Sequence, residues 1–274
     1  MNFGNPTELK IEPMMTTITN VQQIQSTADR ALLSTKNIPP RERLIFALDV
    51  ATVEEAKQLV TEFGEEVVFY KIGIQLLLSG GNGKEGYAQL IDWLVEREKK
   101  VMVDMKMFDI AETVRAGVKQ LRNRGVTFAT VHGTDPILKA AVESRDGVKI
   151  LAVTVLTSLD QSDIEDLGFR CNIEELVLSR AKRALALKCD GVISSGIEVR
   201  ALRQEFGHEF VIAVPGIRPV ENRVVDDQKR VADIEAAFLN GADYIVVGRP
   251  IRNATNPKAK AQEFQRRIVK LFEH

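Results

Sequence analysis

The chain has 274 residues, a length that suits one large domain or two small ones. Apolar residues make up 45% and charged residues 27%, the ordinary balance of a well-buried globular protein. A formal net charge of −1 argues against a nucleic-acid or membrane surface, and no apolar run is long enough to span a bilayer.

Residues 1–40 differ from the rest: they are polar, carry scattered Thr, Asn and Gln, and close on Pro39-Pro40. They read as an N-terminal extension with little core of its own, partly disordered, with a short helix available over 22–33. No basic segment followed by an apolar stretch opens the chain, so no secretory leader is expected.

From residue 41 short apolar runs alternate with longer amphipathic stretches. The strand candidates, in chain order, are LIFALD (44–49), VVFYKIG (67–73), VMVDMK (101–106), FATVHG (128–133), KILAVTV (149–155), GVISS (191–195), FVIAVPG (210–216) and YIVVGRP (244–250). Helical patterns fall between them at 53–63, 87–100, 113–125, 173–188, 197–206 and 232–241, with a last one at 257–274. The strands are continuously apolar, the mark of strands buried on both faces in a parallel sheet. Eight strand–helix units in about 230 residues predict a single (β/α)8 TIM barrel over 41–274. A doubly wound open sheet is the competitor. It usually has fewer strands, and no GxGxxG follows the first strand here.

In such a barrel catalytic groups come from the C-terminal ends of the strands. Polar residues collect there: Asp49, Lys71, Asp104 with Lys106, then Asp109 in the following loop. Thr157 and Ser158 follow strand 5. Side chains alternate along a strand, so Asp104 and Lys106 point the same way, and Lys71 can join them from one strand over. A row of Lys, Asp, Lys, Asp is nearly neutral and survives where an isolated charge does not. The competing interpretation is a structural ion-pair network. At the far end PGIRP and VVGRP place Pro215, Arg218, Gly248 and Arg249 where barrels commonly bind phosphate, with arginine supplying a planar fork of donors. His132 late in strand 4 reads as a packed, hydrogen-bonded residue. Cys171 and Cys189 sit in no CxxC or Cys/His pattern, so reduced thiols and a cytoplasmic protein are expected, without a zinc site.

These residues resemble a known family. Asp104-Met-Lys106-Met-Phe-Asp109-Ile110 with Thr113 fits the Asp-x-Lys-x-x-Asp-Ile-x-x-Thr pattern of bacterial orotidine 5′-phosphate decarboxylases. LDV with Asp49, YKIG with Lys71, LAVTVLTS, PGIRP, DDQKR with Gln228, and VVGRPI agree in order and spacing from about 43 to about 255. The resemblance implies decarboxylation of orotidine 5′-monophosphate to uridine 5′-monophosphate, the last step of de novo pyrimidine nucleotide synthesis, with no metal and no organic cofactor. By the same resemblance Lys106 is the acid that protonates C6, Asp104 lies beside the substrate carboxylate, and Lys71 and Asp109 complete the charged row. Asp49 and Lys71 hold ribose hydroxyls, Thr157 and Ser158 face the pyrimidine, and Arg218, Gln228, Gly248 and Arg249 hold the phosphate. Asp109 and Thr113 with Ile110 belong to a segment that reaches a partner's site, which implies a homodimer with shared sites. The polar run 218–230 is the expected covering loop.

Some positions depart from the family pattern. Phe108, Ala111 and Glu112 replace the usual His, Pro and Asn, and Val155 stands where a polar residue often precedes LTS. The four charged residues are intact. Mg²⁺-dependent sugar-phosphate decarboxylases and aldolases of the same superfamily resemble the third strand too, but they carry an acidic metal ligand where Lys71 falls here. A catalytically idle barrel that merely binds a nucleotide phosphate predicts loss of one of the four charges, and none is lost.

Overall fold

A computed structural model describes residues 30–79, 86–218, 230 and 232–273. Eight parallel strands close into one barrel in chain order: β1 (Leu44–Ala47), β2 (Phe69–Gly73), β3 (Lys100–Met107), β4 (Phe128–His132), β5 (Lys149–Val153), β6 (Gly191–Ile193), β7 (Val211–Val214) and β8 (Tyr244–Val247). β1 pairs with β8 to complete the ring. The (β/α)8 barrel read from the strand pattern is the observed fold; each expected run coincides with one strand, and β3 extends one residue beyond its run at both ends.

The continuous apolar runs divide by alternation into two cores. Ile45, Ala47, Phe69, Met102, Phe128, Leu151 and Tyr244 pack inside the barrel. Their neighbours Leu44, Phe46, Tyr70, Val101, Val103, Ala129 and Ile150 pack outward against the helices. Phe69, Phe128 and Tyr244 plug the lower interior, with ring centroids 5.2–5.8 Å apart. Full burial of one such ring contributes about 1.5–3 kcal/mol, so the interior is packed and not a pore.

The helices among the described residues are α1 (Val53–Phe63), α2 (Ile74–Leu78), α3 (Tyr87–Val95), α4 (Ala111–Lys119), α5 (Asp135–Ser144), α6 (Gln161–Asp166), α7 (Ile173–Ala186), α8 (Val199–Phe206), α9 (Ile234–Leu239), α10 (Arg249–Arg252) and α11 (Pro257–Phe272). None is long and apolar enough to cross a membrane. Local chemistry sets their ends. α7 starts at Asn172, whose side chain accepts the Glu175 N–H at 2.8 Å while Glu175 accepts the Asn172 N–H at 3.0 Å. α3 and α4 end at Val95 and Lys119, short of the expected 100 and 125; the chain continues in turns, in which Glu98, Asn123 and Gly125 adopt positive φ of 57°, 57° and 70°. α5 lies outside the expected helices, although Thr134 at its N-cap and a proline in its first turn mark the start.

The candidate helix over 22–33 lies outside the described residues except for 30–33, which form a turn. Residues 34–38 lie against the base of the barrel. Asp243, fully buried just before β8, collects Ser34 Oγ, Lys36 Nζ at 3.2 Å, Arg203 Nη2 at 2.7 Å and the Ile212 N–H at 2.9 Å. Arg43 donates to the Lys36 and Asp243 carbonyls and stacks on Phe272 at 3.7 Å. Breaking a buried ion pair by removing one partner costs about 3–5 kcal/mol, because the other charge is left without compensation. Asp243→Ala is therefore expected to lose about 3–5 kcal/mol in urea unfolding, leaving Arg203 buried and unpaired. A loss below about 1 kcal/mol would show that this node does not hold the base together.

Candidate active site

At the opposite end, the C-terminal mouth, the inward positions change from apolar to charged. Above Phe69 in β2 the next inward residue is Lys71; above Met102 in β3 it is Asp104, then Lys106. The parallel register sets Lys71 beside Met102 and Gly73 beside Asp104, so the two strands deliver their charges to one place. Lys71 Nζ lies 2.9 Å from Asp49 Oδ1 and 3.4 Å from Asp104 Oδ2, and Lys106 Nζ lies 2.8 Å from the same Asp104 Oδ2. Asp49 stands two residues beyond the end of β1.

The middle of the row is buried and its two ends, Asp49 at 42% and Lys106, are open to solvent. The Asp104 side chain is 9% exposed and that of Lys71 11%, while Lys106 reaches 41%. Burial pushes the Lys71 ammonium toward neutrality, but the carboxylates of Asp104 and Asp49 outweigh it and leave its pKa above the ordinary lysine value. Burial likewise pushes Asp104 up. The Lys71 and Lys106 ammonium groups, with hydrogen bonds from Lys106 and Thr130, outweigh it and hold the carboxyl below its ordinary value. The pair is therefore charged at neutral pH.

Lys106 occupies an irregular place in β3. Val103 pairs with Ala129 and Met107 with Val131, so β3 takes four steps where β4 takes two. Lys106 absorbs the excess with φ of +45°, a left-handed conformation that costs a non-glycine residue about 1–3 kcal/mol. Thr130 of β4 fills the gap: its hydroxyl donates to Asp104 Oδ1 at 2.8 Å and accepts the Lys106 N–H at 2.9 Å.

The row forms one side of a cleft of about 460 Å³. Thr157, Pro215, Arg218, Gly248 and Arg249 line the same cleft, as do Gln75 and Arg252. Gly216 there has φ of +75°, a turn that glycine takes without strain. Gly248 precedes the short helix α10, and a Cβ on it would lie 3.3 Å from that of Ala47, so the backbone passes close under the cleft. Arg218 runs its N–H to the Ala232 carbonyl and Nη1 to the Ile217 carbonyl at 2.9 Å. Ser158 is half-buried and does not line the cleft. Gln228 and the rest of 219–229 lie outside the described residues.

Asp109, Ile110 and Thr113 are exposed on the rim and at the start of α4, and Asp109 Oδ1 accepts the Ile110 N–H at 2.6 Å. Within one chain the charged row therefore consists of Asp49, Lys71, Asp104 and Lys106, and Asp109 stands outside it. Sequence reasoning did not single out Thr130, Arg230 or Arg252. Arg252 Nη1 donates to the Asp49 carbonyl. Arg230 pairs with buried Glu198 and donates to the Val155 and Leu156 carbonyls at 3.1 and 3.0 Å, which fastens the segment that carries Thr157.

A depressed carboxyl pKa stabilises the fold above the unfolded value, near 3.9, and the contribution is lost as pH falls below it. A raised lysine pKa stabilises below the unfolded value, near 10.4, and its contribution is lost only above that. The stability difference between the wild type and Asp104→Asn is therefore expected to stay level from about pH 5 to 9 and to shrink below about pH 4. Thermal unfolding across that range checks it, and a difference that closes near pH 6 would contradict the paired assignment.

The model of the orotidine 5′-phosphate decarboxylase / HUMPS family matches residues 42–264. A protein of Methylococcus capsulatus named orotidine 5′-phosphate decarboxylase is 58% identical over 240 residues, covering 88% of this chain and 97% of its own. The protein of that name from Nitrobacter winogradskyi is 46% identical over 231 residues, covering 84% and 93%. The crystal structure of orotidine 5′-phosphate decarboxylase from Lactobacillus acidophilus superimposes with a TM-score of 0.71 at 33% identity, covering 85% of this chain and 100% of that one. The chain belongs to the orotidine 5′-phosphate decarboxylase / HUMPS family, and its likeness to the named decarboxylases makes it an enzyme of the carboxy-lyase class.

Proposed function

We propose that this chain converts orotidine 5′-monophosphate to uridine 5′-monophosphate and carbon dioxide, with Lys106 as the proton donor to C6 and with neither metal nor organic cofactor. The observation that carries the reading is the Lys71–Asp104–Lys106 row, whose outermost ammonium is half-exposed at the mouth of the cleft. When the C6–carboxylate bond breaks, its electron pair stays on C6. A fixed ammonium beside that carbon stabilises the charge more in the transition state than in the ground state. A proton then passes from Nζ to C6, and solvent restores the ammonium. Asp104, held anionic, pairs with the Lys106 ammonium at 2.8 Å and aims it.

The remaining cleft residues suit the rest of the nucleotide. Asp49 and Lys71 present a carboxylate and an ammonium to ribose hydroxyls, and Thr157 offers a hydroxyl to the pyrimidine. Pro215, Arg218, Gly248 and Arg249, with Gln228 beyond the described residues, take the phosphate. Arginine forks and close backbone suit phosphate oxygens. Binding energy gained at the phosphate, remote from C6, helps to set the reacting end. Lys71 Nζ stands between Asp49 and Asp104, so the carboxylates that a divalent cation would need are already matched by an ammonium.

The reading includes a homodimer with shared sites. Phe108 and Ile110 are 66% and 71% exposed on either side of Asp109, and Thr113 is exposed on the next turn. Large apolar side chains flanking a carboxylate at the rim suit a surface that a second copy covers, with Asp109 of one chain reaching the partner's charged row.

Loss of orotidine 5′-monophosphate absorbance on adding the protein tests the activity. Turnover is expected to persist in EDTA, and Lys106→Ala is expected to lower kcat by at least about 10²–10⁴-fold, the range of a positioned acid. No turnover by well-folded protein, or turnover abolished by EDTA, would overturn the proposal.

A further inference from the structure

We infer that Thr130 is a positioning residue that sets the Asp104–Lys106 pair for proton delivery, an inference that rests on the decarboxylase reading. Thr130 does not line the cleft, and its side chain is wholly buried at an inward position of β4, above Phe128. Whatever it does for substrate therefore passes through other residues. Its single hydroxyl proton goes to Asp104 Oδ1 at 2.8 Å, and its oxygen accepts the Lys106 N–H at 2.9 Å.

These two bonds divide the work of Asp104 between its oxygens. Oδ2 faces both ammonium groups, Lys106 at 2.8 Å and Lys71 at 3.4 Å. Oδ1 is occupied by Thr130, which fixes rotation about a carboxylate torsion that is otherwise broad. The second bond acts on the backbone. Lys106 sits in the register shift of β3 with φ of +45°, where the ladder to β4 is interrupted, and the Thr130 hydroxyl takes its half-buried N–H. One hydroxyl thereby ties the orientation of the carboxylate to the backbone conformation that projects the ammonium. Valine has the same shape and neither bond; serine keeps both and loses only a methyl group.

The test compares the wild type with Thr130→Val and Thr130→Ser. For Thr130→Val, kcat is expected to fall about ten- to a hundredfold, the range for losing a hydrogen bond to a charged group, while KM stays within about threefold. Thr130→Ser is expected to recover most of kcat. Hydrogen exchange of the Lys106 amide, read by NMR, is expected to quicken in Thr130→Val and not in Thr130→Ser, whether or not substrate turns over. An active wild type with Thr130→Val within about twofold in kcat overturns the inference, and so does a Thr130→Ser as slow as Thr130→Val. A wild type without turnover defeats the decarboxylase reading instead, and the inference with it in its catalytic sense. In that case unchanged Lys106 exchange in Thr130→Val removes the structural bond as well.

Discussion

Asp104 is a carboxylate at 9% exposure directly above an apolar barrel interior, and that position is tolerable only because every part of it is matched. Two ammonium groups share one oxygen and a hydroxyl holds the other. Each partner comes from a different place: Lys71 from β2, Lys106 from two residues on in β3, Thr130 from β4. The parallel register of three neighbouring strands is therefore a condition of the charge balance, and the charge balance is a condition of having a charged mouth. The left-handed turn at Lys106 belongs to the same bargain, since strain there persists only where the surroundings over-determine it.

The two ends of the barrel treat buried charge differently. At the base Asp243 is sealed among Arg203, Lys36, Ser34 and the Ile212 N–H with no exposed side-chain surface on either it or Arg203, an arrangement that joins segments. At the mouth the network is left unfinished toward solvent. Exposure climbs from Asp104 to Lys106, and Asp49 is 42% exposed beside Lys71. The mouth network thus presents an ammonium, a carboxylate and arginine forks to whatever enters the cleft. Such a surface suits a substrate with a carboxylate at one end and a phosphate at the other.

Much of this was legible in the sequence, for identifiable reasons. Strands buried on both faces read as unbroken apolar runs, so all eight were visible, and the change from Phe69 to Lys71 and from Met102 to Asp104 marked the mouth at a spacing of two. Helix ends were less visible because α3 and α4 pass into turns at Glu96 and Gln120, right-handed residues that carry no helix-stop signal of their own. The helix Asp135–Ser144 was missed although Thr134 and a first-turn proline announce it. Thr130 was invisible for a deeper reason. Threonine is an ordinary strand residue, and only the register shift opposite it, which no local pattern records, turns its hydroxyl into a partner for Asp104 and Lys106. Arg230 and Arg252 act on backbone carbonyls of distant loops, contacts that sequence spacing does not encode. Asp109 stands exposed on the rim of its own chain, so a place in a charged row is open to it only through a second copy, as the family resemblance implied.

The central claim is that the ammonium of Lys106 supplies the proton that replaces the departing carboxylate. Turnover of orotidine 5′-monophosphate in D₂O, with the C6 position of the product read by ¹H NMR, tests it most directly. An ammonium exchanges its protons with solvent, so the account expects one deuterium at C6 of uridine 5′-monophosphate and none at C5, with that product formed at least about 10²-fold more slowly when Lys106 is alanine. Protium at C6 would mean a donor that does not exchange, and undiminished deuterium-labelled product from Lys106→Ala would mean a different acid; either result contradicts the account.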